Sequence, residues 1–202
     1  MKVIQATKID KEIIENAIRV LKRGGVVIFP TDTSYGISCD PASQKAVNKI
    51  FKIKNRPKSE PVLLVAASRR MVEKYALIKN QASRLAGKYW PGPLTLLLPK
   101  EPGIRFSSGI VSHDMIAFRV PEYKPLLQLV RKFKKPIVST SANIAGQKPI
   151  YDGNMLVYEF ASGRVRPDLI VNIGKLPKNP PSAVVAIENG KKIIVRRGKL
   201  KI

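Results

Sequence analysis

The chain has 202 residues, 44% of them hydrophobic and 25% charged, which is enough apolar material for one sizeable core. Its 37 Lys+Arg against 14 Asp+Glu give a net charge of +23, while one cysteine and one histidine exclude an internal disulfide and a Cys/His zinc cluster. No apolar run approaches the roughly 20 residues of a membrane span, and no stretch is polar or repetitive enough to be a linker, so a single domain over 1–202 in a reducing, cytoplasmic setting is expected.

Asp10 is placed to cap a helix whose apolar positions Ile13, Ile14, Ala17, Ile18 and Leu21 fall on one stripe, with Gly24-Gly25 ending it. A buried strand is predicted over 26–29. The small, polar stretch 30–40 then predicts a loop that delivers hydroxyls after a strand end. Ala46, Val47, Ile50 and Phe51 mark a second amphipathic helix that ends near Lys54 and Arg56, and Pro57 and Pro61 punctuate the chain before a covered strand over 62–66. Helices are predicted over 69–76 and 81–88, and Trp90-Pro-Gly-Pro93 makes a rigid turn into a strand over 94–98. Further strands are predicted over 115–120, 137–139, 169–171, 183–187 and 193–195. Asn189-Gly190 makes the last two an antiparallel hairpin. Alternating helices and strands closed by a hairpin indicate an α/β fold with a twisted mixed sheet.

The basic residues are scattered along the chain, which predicts a broad positive potential rather than a dedicated nucleic-acid arm. Attraction to RNA or nucleotides and a Lys-rich surface selected for solubility are both compatible with it.

Several common engines are absent from the sequence: a Gly-x-x-x-x-Gly-Lys-Ser/Thr phosphate loop, a Gly-x-Gly-x-x-Gly turn and a His-Glu-x-x-His helix. His113 lies in a Ser/Asp/Gly-rich loop away from any nucleophile elbow, and Cys39 has no natural base, so a small, half-buried structural thiol is expected there. What remains is Lys54-x-Arg56, the Thr31-Asp-Thr33 loop and Ser139-Thr-Ser141-Ala-Asn143. Taken alone, the first is a solvated helix end as readily as an oxyanion site, and the last a helix cap as readily as a ligand loop. Together they outline a cationic, hydroxyl-lined anion pocket, suited to reactions whose barrier is charge development on phosphate.

These motifs, with Phe29-Pro-Thr-Asp-Thr-Ser-Tyr-Gly36, Pro61-Val-Leu-Leu-Val65, Tyr89-Trp-Pro-Gly-Pro93, Arg119-Val-Pro121, Ser182-Ala-Val-Val185 and Val195-Arg-Arg-Gly198, run in one order along nearly the whole chain. In this the sequence resembles the YrdC family, the threonylcarbamoyl-AMP synthases. The resemblance implies a YrdC-like twisted sheet with flanking helices and a positively charged concave face. It also implies condensation of L-threonine, bicarbonate and ATP to L-threonylcarbamoyladenylate and pyrophosphate, with Mg²⁺ carried by the ATP. Lys54 and Arg56 would be catalytic. Thr33, Tyr35, Arg119, Ser139 and Ser182 would hold threonine, and Lys54, Arg56, Glu60, Ser141, Asn143 and Arg196 would hold ATP.

A downstream tRNA threonylcarbamoyltransferase would take the product, with weak direct tRNA binding from the basic surface. The chain departs from the family pattern at Val65, Pro149, Ala183 and Ala186, and its end at Ile202 matches a minimal form without an extra C-terminal domain. Two rival readings are an RNA-binding module without catalysis, which needs charge but not this constellation, and a carbamoyl-adenylate synthase. Relatives of the latter kind are long chains with cysteine clusters.

Overall fold

The computed structural model describes residues 1–188 and 191–200. In chain order these form β1 (Lys2–Gln5), α1 (Lys11–Lys22), β2 (Val27–Pro30), β3 (Tyr35–Cys39), α2 (Gln44–Lys54), β4 (Leu64–Val65), α3 (Arg69–Val72), α4 (Asn80–Tyr89) and β5 (Leu94–Pro99). There follow β6 (Val111–Ser112), β7 (Met115–Arg119), α5 (Lys124–Phe133), β8 (Ile137–Ser141), α6 (Gly153–Ala161), β9 (Leu169–Asn172), β10 (Ala183–Glu188) and β11 (Lys191–Arg196).

The strands join in one mixed sheet of order β1-β9-β2-β3-β8-β4-β7-β5-β10-β11, with β6 beside β7. Antiparallel β2-β3, β3-β8, β8-β4, β5-β7 and β10-β11 pairs alternate with parallel β1-β9, β2-β9, β4-β7 and β5-β10 pairs.

Local chemistry sets the helix ends as the sequence predicts. The Asp10 carboxylate accepts the Ile13 amide at 2.9 Å and Gly24 leaves α1 at φ +70°. Ser43 Oγ accepts the Ala46 amide at 3.3 Å to start α2, and Asn55, left-handed at φ 49°, stops it before Pro57.

Because successive side chains of a strand point to opposite faces, the sheet sorts residues into two layers. Tyr35, Ile37, Cys39, Leu64, Leu94, Leu96, Phe118 and Val138 pack against α2, α3, α4 and α6. Val27, Phe29, Val65, Ile137, Leu169 and Val171 pack on the other face against α1 and α5. The alternate positions nearest the middle of that second face are Gly36, Thr95, Arg119, Ser139 and Ser141, which are small or polar. The register lines them up: Gly36 opposite Ser141, Thr95 opposite Arg119, and Arg119 beside Val65. A face covered by two helices at one end is therefore left open and polar over its centre.

Three features differ from the predicted elements. Residues 30–40 are not one loop: only 31–34 turn, and Tyr35–Cys39 form a fully buried central strand. The alternation of Tyr35, Ile37 and Cys39 decides this over the small, polar composition, and Cys39 is fully buried rather than half-buried. Strands β1 and β6 and helices α5 and α6 are absent from the predicted elements, although Leu126, Leu129, Val130 and Phe133 carry helical spacing. The helix expected over 69–76 is only the single turn of α3. The antiparallel β10-β11 pair is present, and its Asn189-Gly190 turn lies outside the described residues.

Candidate active site

A cavity of about 230 Å³ opens on the polar centre of the sheet. Its floor is strand backbone, with Gly36 of β3 beside Ser139 and Ser141 of β8. A Cβ on Gly36 would come within 2.9 Å of Ser139 Oγ and 3.0 Å of Thr31 Cγ2, so glycine here keeps the floor open. One wall is the 31–34 turn. Thr31 Oγ1 donates to the Ser34 carbonyl at 2.7 Å, accepts the Thr33 amide at 3.1 Å and lies 3.2 Å from Thr33 Oγ1, a self-bonded turn that fixes the hydroxyls. Leu63, Val65, Pro121 and Leu126 supply an apolar side.

Arg119, 6% exposed, is the buried cation of this cavity. Its Nη2 donates to Asp32 Oδ2 at 2.6 Å and its Nε to the Gly92 carbonyl at 3.2 Å. Burial lowers its pKa; Asp32 opposes that and Arg196 adds to it. A guanidinium stays charged under such a shift, so a buried positive group faces the cavity. Arg196, whose pKa burial also lowers, reaches across from β11 and donates to the carbonyl of Ser182 at 3.0 Å and to its hydroxyl at 3.2 Å. Ser182 Oγ is 2.8 Å from the buried Thr95 hydroxyl, so these three form one chain of polar groups.

Of the residues expected to hold threonine, Thr33, Tyr35, Arg119, Ser139 and Ser182 all line this cavity, as do Ser141 and Arg196 from the ATP set. Tyr35 contributes from beneath. Its ring is fully buried, and its hydroxyl donates to the Gly174 carbonyl at 2.7 Å and accepts the Ile173 amide at 3.0 Å. Burial, opposed by that amide and aided by Asp152, raises its pKa. Val65 and Pro149, two of the departures from the family pattern, also line the cavity. Ala183 and Ala186 lie in β10.

Lys54, Arg56, Glu60 and Asn143 are not among the lining residues. Lys54 is 1% exposed, and its ammonium donates to the carbonyls of Ser141 at 2.5 Å and Asn143 at 2.8 Å. Burial first, and the neighbouring Arg56 second, lower its pKa to about 8. Asn143 donates to the carbonyls of Ile144 and Gln147, both at 2.8 Å, while its Oδ1 is buried without a partner among the described residues. Arg56 donates to the carbonyls of Glu60 at 2.9 Å and Pro61 at 3.3 Å. It also lies 3.6 Å from the Glu60 carboxylate and borders a separate basic groove with Lys52 and Lys58. The Lys-x-Arg pair thus braces two loops at the rim: Lys54 the 141–143 segment and Arg56 the 57–61 segment.

Asp32, Asn179 and Tyr151 line the cavity without having been singled out. Asn179 Nδ2 donates to the Asp32 carbonyl at 2.9 Å. For Asp32 the sequence does hold a signal: it is the one acid between Glu15 and Asp40 in a strongly basic chain, set between two threonines. The other two come from the loops after β8 and β9, where nothing in the pattern points inward. Cys39 is buried and free, and burial, with Asp40 adding to it, pushes its thiol pKa up, away from nucleophilic chemistry.

The Sua5/YciO/YrdC family profile, described as "Telomere recombination", matches residues 19–198. A Methanocaldococcus jannaschii protein, provisionally named for threonylcarbamoyl-AMP synthase activity, is 33% identical over 205 residues, covering 100% of this chain and 95% of its own. A threonylcarbamoyl-AMP synthase of Psychromonas ingrahamii is 30% identical, covering 89% of this chain and 95% of its own. Among solved structures, Pyrococcus abyssi Sua5 complexed with L-threonine superposes with a TM-score of 0.85 at 29% identity, over 98% of this chain and 57% of that one, so this chain spans little more than half of that protein. With the profile matching most of its length, this chain belongs to the Sua5/YciO/YrdC family.

Proposed function

We propose that the chain is a threonylcarbamoyl-AMP synthase. The amine of L-threonine and bicarbonate give a carbamate with loss of water; a carbamate oxygen attacks the α-phosphate of ATP, and pyrophosphate leaves. One observation carries this reading: a buried arginine, ion-paired to Asp32, sits in a hydroxyl-lined cavity of amino-acid size, in a chain that superposes on a threonine-bound family member. Arg119 suits the amino-acid carboxylate, and the hydroxyls of Thr33, Ser139 and Ser182 suit its remaining polar groups. Leu63, Val65 and Leu126 would take the threonine methyl group.

ATP would lie toward Ser141 and Arg196, with Lys54 and Asn143 fixing the 139–143 loop and Arg56 and Glu60 at the rim. Mg²⁺ would arrive with the nucleotide as the counter-ion of its phosphates; among the described residues no group of three or more His, Cys, Asp or Glu is placed to hold a resident ion. Preorganised donors in such a site act on charge as it develops, which is the main requirement of transfer at phosphorus.

The product, a mixed anhydride of carbamate and phosphate, would be consumed by a separate tRNA threonylcarbamoyltransferase. A cytoplasmic location fits that role, and no helix among the described residues is long and apolar enough to cross a membrane. The test is mass spectrometry of products formed from labelled bicarbonate, threonine and ATP. The expected result is an AMP adduct carrying both labels, formed only when both are supplied. Equal ATP turnover with serine, glycine or no amino acid would overturn the assignment.

A further inference from the structure

We propose that Asp32 is a specificity-determining residue: it receives the α-ammonium group of the amino-acid substrate beside Arg119, so that the site selects a zwitterion and not merely a hydroxy acid. This rests on the proposed amino-acid activity and assigns one further residue within it.

Among the described residues two guanidiniums, Arg119 and Arg196, line the cavity, and Asp32 is the one acid that does so. Arginines suit a carboxylate. The same pair would repel the ammonium of a free amino acid, which lies only two bonds from its carboxylate carbon, unless a negative group stands beside them. Asp32 is that group, its Oδ2 2.6 Å from Arg119 Nη2.

A carboxylate accepts through both oxygens, yet Asp32 has only one engaged: Oδ1 is buried and has no donor among the described residues. An acceptor left in that state destabilises the empty site, and a donor that supplies the missing bond recovers the loss on binding. A substrate whose carboxylate pairs with Arg119 carries its ammonium within reach of the neighbouring carboxylate.

The Asp32 carbonyl is held by Asn179 at 2.9 Å, and Arg119 is held from behind by the Gly92 carbonyl. Two opposite charges side by side match the two charges of an α-amino acid, and a small turn of the Asp32 carboxylate, whose Oδ1 is closed to solvent in the empty site, presents that oxygen to the ammonium.

The test is calorimetric titration of the wild-type protein and of Asp32→Asn with L-threonine and with 3-hydroxybutanoate, which is threonine without its amino group. The asparagine retains an oxygen that can accept from Arg119 but loses the charge. Wild-type protein is expected to bind threonine at least about tenfold tighter than 3-hydroxybutanoate. In Asp32→Asn that preference should shrink about 10- to 100-fold, as the loss of a charged hydrogen bond predicts, with 3-hydroxybutanoate affinity little changed.

Parallel weakening of both ligands in Asp32→Asn would overturn the proposal, because it would reduce Asp32 to a support for Arg119. Equal binding of both ligands by the wild-type protein would also overturn it, and needs no variant to fold. Wild-type protein that binds no threonine would instead overturn the synthase reading on which the proposal rests. Threonine binding unaffected by Asp32→Asn would overturn this inference alone.

Discussion

The ammonium of Lys54 ties the last turn of α2 to the strand-end loop of β8, 2.5 Å from the Ser141 carbonyl and 2.8 Å from that of Asn143, with almost no exposure to solvent. The return contact is backbone: the Ala145 amide donates to the Lys54 carbonyl at 2.7 Å. A residue whose type suggests a phosphate contact therefore holds in place the loop that carries Ser141 and Asn143.

That burial makes stability depend on alkaline pH. The Lys54 pKa falls from 10.5 to about 8 on folding, so between these values the unfolded chain binds more protons than the folded one, and stability rises with pH across that window. The expected gain, measured as the unfolding free energy of wild type minus that of Lys54→Met, reaches on the order of 3 kcal/mol at the top of the window. Denaturant titrations at pH 7, 8, 9 and 10 measure it. A flat difference would mean that Lys54 titrates as an exposed lysine does.

Arg56→Ala separates chemistry from bracing. If this guanidinium swings from Glu60 to the phosphates during turnover, its loss should slow adenylate formation about 100-fold, as the removal of one preorganised donor does. Pyrophosphate release measures this. A variant within threefold of wild type would leave Arg56 with only its bonds to the 60–61 carbonyls.

Much of this fold is legible in the sequence because the signals are local. Capped stripes such as that after Asp10, and apolar runs such as 94–98, declare themselves within a few residues. The 30–40 segment misleads because two principles compete there: Thr31 to Ser34 supply turn chemistry, and the same small residues continue into a strand whose buried face is only Tyr35, Ile37 and Cys39. The site is legible in composition but not in side-chain direction. Arg119 and Ser139 fall on the open face by the period of two, whereas Lys54 points into the protein because its helix turns that side inward, and only tertiary packing determines what it meets there. The Asp32–Arg119 pair joins residues 87 apart, and nothing local announces it.

Gly36→Ala tests the floor of the cavity. The added methyl group would sit 2.9 Å from Ser139 Oγ, closer than side chains pack, so the hydroxyl must move out of place. Overpacking of that kind costs about 1–3 kcal/mol of fold stability, and the displaced hydroxyl would lose its bond to threonine, roughly tenfold in affinity. Isothermal titration with threonine reads it, and unchanged affinity would remove Ser139 from the amino-acid contacts.

The charge of +23 predicts weak, direct tRNA binding. Lysines and arginines spread along the chain would meet phosphates rather than base edges, so affinity should fall steeply with salt and discriminate little among RNA sequences. Filter binding at several salt concentrations, with two unrelated tRNAs, measures both. Salt-insensitive binding, or strong selection for one tRNA, would contradict it.

Thr33 tests how the cleft is divided between its two substrates. Its hydroxyl lies 3.2 Å from that of Thr31, in the turn next to Asp32, and lines the same cavity as Ser182 and Arg196. Thr33→Val keeps the shape and removes the hydroxyl. A site built to bond a substrate hydroxyl loses more when a polar partner goes missing than when a methyl group changes, because the groups left behind stay buried and unpaired. Threonine affinity should therefore fall about tenfold, as the loss of a buried hydrogen bond gives, while ATP affinity stays within a factor of about two. Separate calorimetric titrations of the Thr33→Val protein with threonine and with ATP read the two effects. Loss of ATP affinity with threonine affinity intact would mean that the 31–34 turn serves the nucleotide, and that Arg119 faces a phosphate where a carboxylate is expected.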